Sequence, residues 1–487
     1  MDNNQRQQVL DNAKYLREVR PIDPDEIYEY IEGTPHPAAV RQVLRESVVE
    51  LGLIEREDGR FEPVDDSPVE LSFDGVSSLP ERIAHQLEAQ LVEQFGPGWP
   101  DGTSGDRLRA QIRDFKRQYL SGGEVTYDEV TALGYAIYHL PAYFAATQHV
   151  LAELAADDLL PGQLRVLDVG AGVGGPALAV AELLTEDALV EYHAVEPSEA
   201  AELLDSMLEV TGENFKPKIH REPIESVDLT GEFDLILCAN VLSELDDPVS
   251  VLHTLFDYLS EDGTLCVLAP ADRNTAIELR QIERAAEREL GATVFSPTVR
   301  LWPHESPEST SWSFVRKPDL DVPAFQRRLD EGERSDSTIK IERGGEPTDG
   351  AKRSPGDGEF VNTDVQYAYS VLRKDDKKAI ELTLDSGRFA KMAATENHVT
   401  DRIDCVGIKL SNDLSEGGNP LYLIGDGSQK IDHFAVLTEE SMLNRDLVDS
   451  AYGSLLQFEN ILVLWNDDEN AYNLVVDGET IVDRVPV

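Results

Sequence analysis

The sequence predicts an α/β protein centred on a doubly wound, mainly parallel sheet, with a helical module before it and a small β-barrel after it. Three observations carry that reading. Between residues 161 and 270, buried-strand patterns alternate with helical runs, as a parallel sheet with crossover helices requires. A glycine-rich turn follows the first of those strands. From about residue 386 onward, helical periodicity gives way to short strands. The 487 residues leave room for about two to four domains. An apolar fraction of 41% excludes a globally disordered chain.

No run approaches the ~18 consecutive apolar residues of a spanning helix. Met1-Asp2-Asn3-Asn4-Gln5-Arg6 starts no signal peptide. A cytoplasmic protein with no membrane contact is expected. Cys238, Cys266 and Cys405 lie far apart and form no C-x-x-C pair, which excludes a disulfide framework and a cysteine-rich zinc site. The net charge of -50 arises from 93 Asp+Glu against 43 Lys+Arg. The acid runs through every segment, and Arg outnumbers Lys more than two to one. That is the pattern of a halophilic protein from a molar-salt cytoplasm, where the Debye length falls to ~3 Å and self-repulsion is screened. The acidic sign therefore reports habitat and does not exclude nucleic acid, although counterion release would contribute little to binding.

Residues 1–66 read as a small module. Asp23-Pro24-Asp25-Glu26 is a helix start, with an Asp N-cap and Pro at the first helical position. A second helix follows Pro37, with Val40, Val43, Leu44, Val48 and Leu51 at helical spacing and Gly52 as its stop. Two short strands then flank Asp58-Gly59. Helix, helix and hairpin resemble a winged helix-turn-helix, with Arg41, Arg45, Arg56 and Arg60 on its surface; a protein-packing module is the alternative. Residues 79–150 form a helical region. Its first helix buries Ile83, Leu87, Leu91 and Phe95 and stops at Gly96-Pro97-Gly98. The second turns Leu108, Ile112, Phe115 and Tyr119 inward and carries Arg107, Arg109, Arg113, Lys116 and Arg117. A locally positive helix in so acidic a chain is the best candidate phosphate contact, against a salt-bridged surface helix.

The α/β domain is placed at 151–375. Its strands are Arg165–Val169, Glu191–Val195, Phe233–Cys238 and Gly263–Leu268, with a helix over Pro176–Leu184. The Gly-, Ser- and Pro-rich stretch 330–362 reads as a flexible insert, after which Asp364–Arg373 returns to the sheet as a strand. In 386–487, five strands are expected at Ile403–Leu410, Leu421–Gly425, His433–Leu437, Leu455–Leu464 and Tyr472–Val476. A helix, Ser441–Ser450, separates the third and fourth. That order suggests an OB-like barrel, a fold used for single-stranded nucleic acid. Tyr422, Phe434, Trp465 and Tyr472 are stacking or core residues there.

The strongest motif is Val166-Leu167-Asp168-Val169-Gly170-Ala171-Gly172-Val173-Gly174-Gly175. An acid closes the strand, and glycines allow a tight turn and close approach of a ligand. Glu196, before Pro197 at the end of the next strand, is placed to accept both ribose hydroxyls. A nicotinamide-binding turn shares these features. The spacing G-x-G-x-G-G, Asp234, Cys238-Ala239-Asn240 and Asp262-Gly263-Thr264-Leu265 together resemble the class I S-adenosylmethionine-dependent methyltransferases. In that family the acid lies near the methionine part of the cofactor. By that resemblance Asp168, Gly170, Ala171, Gly172, Gly174, Glu196 and Pro197 line S-adenosylmethionine, and Asn240 sits beside the methyl acceptor.

Catalytic residues are not identified. Asn240-Val241-Leu242-Ser243 lacks the prolines and aromatic of amino-group base methylation, and Cys238 lacks a nucleophile's context. Cys266 reads as core. His139, His220, His253 and His304 have no metal-ligand spacing.

Ala132–Thr147, with its Tyr138-His139-Leu140-Pro141, and Ala239–Leu245 resemble the methyltransferase-like proteins associated with the mitochondrial small ribosomal subunit and their prokaryotic relatives. The resemblance covers about residues 100–375. It implies a methyltransferase-like fold, small-subunit rRNA or a pre-ribosomal subunit as partner, and a role in subunit assembly or translation. That family carries cysteine ligands for an iron–sulfur cluster, but residues 294–314 contain no cysteine, so no cluster is expected. A small-molecule methyltransferase, and a winged-helix regulator that senses S-adenosylmethionine on DNA, stay open.

Overall fold

The computed structural model describes residues 1–121, 127–184, 187–335, 356 and 358–486. The chain opens with α1 (Asn3–Leu16), α2 (Pro24–Ile27), α3 (Pro37–Leu51) and the hairpin of β1 (Leu53–Glu55) and β2 (Phe61–Pro63). Then come α4 (Glu81–Phe95), α5 (Gly102–Ser121) and α6 (Glu129–Ala156). The alternating region contains β3 (Gln163–Val169), α7 (Gly175–Leu184), β4 (Leu189–Val195), α8 (Ala200–Leu208), β5 (Phe215–His220) and β6 (Phe233–Ala239). It continues with α9 (Pro248–Tyr258), β7 (Leu259–Pro270), α10 (Arg273–Leu290), β8 (Thr293–Ser296), β9 (Val315–Lys317), α11 (Ala324–Glu331) and β10 (Val365–Arg373). The last part holds β11 (Arg402–Lys409), β12 (Leu421–Gly425), β13 (His433–Leu437), α12 (Asp446–Asp449), β14 (Leu455–Asn466), β15 (Ala471–Val476) and β16 (Ile481–Arg484). Two compact units result: residues 1–235 with 318–365, and residues 236–317 with 366–487.

In the first unit, β3 pairs in parallel with β4 and β4 with β5. β3 and β4 are mostly buried along their length, as strands covered on both faces are. β5, Phe-Lys-Pro-Lys-Ile-His, was not legible as a strand; it is an edge strand, where Pro217 and charged residues are tolerated. The amino-terminal module has its own core of Val9, Ala13, Val40, Leu44, Val48 and Phe61. The helix expected from Asp23 is a single turn, α2, whereas the longer α1 has too few apolar residues to show a helical period in the sequence. Glu55 and Asn214 exchange hydrogen bonds of 2.8 and 3.2 Å, fixing the hairpin to the strand region. The module's arginines face carboxylates: Arg45 grips Glu55 bidentately and reaches Glu213, Arg56 pairs with Glu62 and Asp187, and Arg60 lies near Asp23 and Asp58.

Helix α6 contains Pro141, which has no N–H for the carbonyl four residues earlier. The buried Gln326 of α11 supplies the missing donor, with Nε2 at 2.8 Å from the Ile137 carbonyl. Asn362 donates to the Tyr138 carbonyl at 2.9 Å and from its backbone to Gln326 at 3.0 Å. Most of the expected insert, 336–355 and 357, lies outside the described residues. Its flanks are packed rather than loose: Phe360 is fully buried, and Asp330 accepts from Gly358 and Phe360.

In the second unit, β10 pairs antiparallel with β7 and with β8, so the returning strand is present. The carboxy-terminal strands close as β11-β12-β13-β15-β14, with β14 pairing back to β11. This is a closed five-stranded barrel; β13 and β15 run parallel, and β16 adds to β14. Helix α12 stands between the third and fourth strands as expected, but is one turn long. Tyr422 and Tyr472 belong to the barrel core. Phe434 packs on a second apolar cluster, and Trp465 is 36% exposed. Among the described residues, no helix is long and apolar enough to cross a membrane.

Candidate cofactor site

The site in the first unit begins with the register of two strands. Asp168 is opposite Ala194, and Val166 opposite Tyr192, so Asp168 and Tyr192 are diagonal neighbours on one face. The Tyr192 hydroxyl donates to Asp168 Oδ2 at 2.7 Å. Oδ1 is buried and has no hydrogen-bond partner, which costs free energy unless a ligand supplies a donor. Burial pushes the Asp168 carboxyl up to about 7; the Tyr192 bond opposes this and Glu196 adds to it. Tyr192 itself is held well above its ordinary value by burial and by Asp168.

The turn that follows places Gly170, Gly172 and Gly174 at φ 69°, 53° and 90°, left-handed conformations that favour glycine. Gly170 and Ala171 donate to the Val195 carbonyl at 2.9 and 3.1 Å, tying the turn to the end of β4. A Cβ at Gly174 would stand 2.7 Å from a Leu204 methyl. At Gly172 it would meet nothing nearer than the Gly170 carbonyl at 3.9 Å, so this part of the turn borders open space. Glu196 bridges the two strand ends: Oε2 accepts from Gly172 N at 2.8 Å and Oε1 from Ser198 N at 2.9 Å. Each oxygen keeps capacity for a further donor. Pro197 is exposed at the rim.

These residues, Asp168 to Gly174 with Glu196 and Pro197, are thus brought together. Asn240 belongs to the second unit. It holds φ 60°, a left-handed conformation that asparagine adopts more readily than most residues, and its N–H donates to Leu268 O at 2.9 Å. It lines a small cleft with Leu242, Leu268, Thr275 and Leu279. Tyr192 and Ser198 were missed by the sequence reading. Tyr192 was recoverable from strand alternation alone, since it is two residues from Ala194, the partner of Asp168.

The positive helix α5 spends its charge inside the first unit. Arg109 is 1% exposed and donates to the carbonyls of Pro100 and Leu329, both at 2.9 Å, and to Asp106 at 2.8 Å. Arg113 grips Glu359 with bonds of 2.7 and 2.6 Å, Lys116 reaches the Glu359 carbonyl, and Arg117 pairs with Asp114. Arg107 is exposed near Asp128.

In the second unit, the cysteine-free segment 294–314 is held by buried polar groups. Arg284 donates to the carbonyls of Pro307 and Ser309 at 3.0 and 2.9 Å, and Trp302 to Asp426 at 2.7 Å. Among the described residues, no group of three or more His, Cys, Asp or Glu is placed to hold a metal ion. Cys238, Cys266 and Cys405 are buried and form no disulfide.

A methyltransferase-domain family matches residues 138–322. The flanks match a domain of unknown function (DUF8157), its N-terminal part at residues 6–57 and its C-terminal part at 393–485. No curated protein matches the sequence. Among solved structures, the YcgJ protein from Bacillus subtilis is 24% identical over 22% of this chain and 45% of its own, with a TM-score of 0.20. An S-adenosylmethionine-dependent methyltransferase from Clostridium acetobutylicum is 14% identical over 36% and 61%, TM-score 0.23. A putative O-methyltransferase from Nostoc punctiforme is 16% identical over 58% and 81%, TM-score 0.26. The chain spans less than two thirds of the first two. The family match and the strand–glycine turn–helix geometry assign the central region to the class I methyltransferase fold.

Proposed function

We propose that the chain binds S-adenosylmethionine at the glycine turn and acts as a methyltransferase on small-subunit ribosomal RNA, in subunit assembly or translation. The single observation that carries the cofactor reading is the buried, unpartnered Asp168 Oδ1 beside a turn whose Gly172 has no Cβ to block approach. Bound S-adenosylmethionine supplies an electrophilic methyl group on a sulfonium. Asp168 faces its cationic methionine end. Glu196, already oriented by Gly172 and Ser198, accepts the ribose hydroxyls. The left-handed Asn240 is the acceptor-side candidate. The ribosomal part of the proposal is supported by the resemblance of 132–147 and 239–245.

One observation favours a second reading, a small-molecule acceptor. The cations expected to meet phosphate, Arg45, Arg56, Arg109 and Arg113 among them, are engaged with carboxylates or carbonyls of the chain itself. Calorimetry with S-adenosylmethionine tests the cofactor: the native chain binds, and Gly172→Arg, strained at its left-handed φ but still folded, does not. Equal affinity of the two overturns the assignment. Ultraviolet crosslinking in a molar-salt lysate separates the acceptors. Enrichment of one small-subunit rRNA region supports the first reading, and background RNA alone favours the second.

A further inference from the structure

Three arginines of the second unit lie close together and are answered differently. Arg280 and Arg300 share Glu283, and Arg300 also reaches Glu287. Arg284, one turn along α10 from Arg280, is 9% exposed. Among the described residues it pairs with no carboxylate. It donates instead to the carbonyls of Arg280, Pro307 and Ser309, at 2.9, 3.0 and 2.9 Å. Carbonyls satisfy its N–H groups but leave its charge uncompensated, which is costly at such depth. Burial, opposed by Glu283 and reinforced by Arg300, Arg280 and Arg288, holds its guanidinium below the ordinary value.

Arg284 lines a cleft of about 310 Å³, its mouth included, together with Arg280, Val299, Ile408, Gly425 and Gln429. The enclosed part admits about one water-sized sphere. Gln429, in the loop between β12 and β13, is 4% exposed. Its Oε1 accepts from Gly427 N at 2.9 Å and Asp426 N at 3.2 Å, which fixes the orientation of the amide. Its Nε2 lies over the cleft residue Gly425, where a Cβ would stand 2.6 Å from it. Among the described residues that nitrogen has no acceptor. Arg280 Nε is likewise buried without a partner. The carbonyls beside the cleft are taken: Pro307 and Ser309 accept from Arg284, and Gln429 from the N–H groups of Glu308 and Ser309. The wall thus offers unspent N–H donors and positive charge.

We propose that this cleft holds a monovalent anion of halide size, chloride or bromide, between Arg284 and Gln429. The site goes beyond methyl transfer and does not rest on it. An anion only accepts, as these donors require, whereas a water must also find acceptors. It supplies the charge that Arg284 lacks. It also ties α10 and residues 307–309 to the β12–β13 loop of the barrel. Molar salt keeps even a weak site of this kind filled, so the halide becomes part of the fold's stability.

The test uses the full chain in molar potassium glutamate, a halide-free background, with chloride or bromide exchanged in at constant ionic strength. The melting midpoint is expected to rise by a few degrees and level off as the site fills, whereas a general salt effect continues in proportion to concentration. Crystals soaked in bromide should show an anomalous peak within hydrogen-bond distance of Arg284 and of Gln429 Nε2. Gln429→Glu keeps the oxygen that accepts from Gly427 and replaces the donor with negative charge, so it should abolish both the saturable rise and the peak. Arg284→Gln should do the same; if it fails to fold, Gln429→Glu decides alone. A peak without a saturable rise marks an adventitious ion only and overturns the site. So does a rise that Gln429→Glu retains, or the absence of a bromide peak at Arg284 in the native chain.

Discussion

Asp168 and Glu283 are both carboxylates removed from water, one in each unit, and the chain treats them in opposite ways. Glu283 is 1% exposed. It accepts from Arg280 at 2.6 Å, Thr298 at 2.5 Å, Ser370 at 2.8 Å and Arg300 at 3.3 Å. Burial pushes its carboxyl up, but Arg280, Arg300 and the two hydroxyls outweigh that and hold it below its usual value. Asp168 has one hydroxyl and an orphaned oxygen, and its carboxyl rises. Unpaired charge at such depth is costly. The comparison separates two uses of buried acid: Glu283 is complete within the protein and braces its unit, whereas Asp168 is incomplete until something donates to it.

The largest effect expected from breaking this contrast is at Glu283. Glu283→Ala leaves Arg280 and Arg300 buried without their carboxylate, and about 3–5 kcal/mol of stability should be lost, read from the midpoint of denaturant unfolding. A loss below about 1 kcal/mol would contradict the bracing role. Asp168→Asn should act in the other direction. The folded carboxyl titrates near 7, above its unfolded value of 3.8. Its stabilising contribution is therefore fully present below the unfolded value and is lost as pH rises through about 7. The asparagine variant escapes that loss. Relative to pH 4, it should gain on the native chain by up to about 4 kcal/mol at pH 8, at ~1.4 kcal/mol per unit. Melting curves at the two pH values check this, and the variant should no longer bind S-adenosylmethionine. Tyr192→Phe is the finer cut. Without the hydroxyl, Asp168 ionises at higher pH, so the rise of cofactor affinity with pH should move upward. At pH 7 the affinity should fall less than tenfold; a pH profile identical to the native one would dissociate Tyr192 from the site.

Much of this contrast was legible on one side only. The turn Asp168–Gly174 and Glu196 could be read because glycines with left-handed φ and strand-end acids are local requirements of the backbone. The five barrel strands and the helix position among them were also readable, since turns punctuate short alternating runs. The network around Glu283 was not. Arg280 and Glu283 look like an exposed helical pair in sequence, and only the packing of β8, β10 and segment 294–314 around α10 buries them. Arg109 misled for the same reason: five cations on α5 read as a surface stripe, yet one of them is fully enclosed. The partner of Pro141 lies 185 residues downstream in Gln326, a separation that no local pattern encodes.

The same logic extends to the least buried charges, where the smallest effect is expected. Arg113 makes a bidentate pair with Glu359, but its side chain is 48% exposed, so solvent and salt screen most of the attraction. Arg113→Ala should cost no more than about 0.5–1 kcal/mol at low salt, and less in molar KCl, where the screening length shrinks to ~3 Å. Its stacking over Phe360, at 4.9 Å from the ring centre, should set the part that salt does not remove. Unfolding measured at both ionic strengths distinguishes these contributions. If α5 were instead a phosphate-binding face, the alanine variant would leave stability nearly unchanged and lower RNA retention in the crosslinking assay. A loss of stability without a loss of RNA would place Arg113 with Glu283, among charges whose partners are already inside the chain.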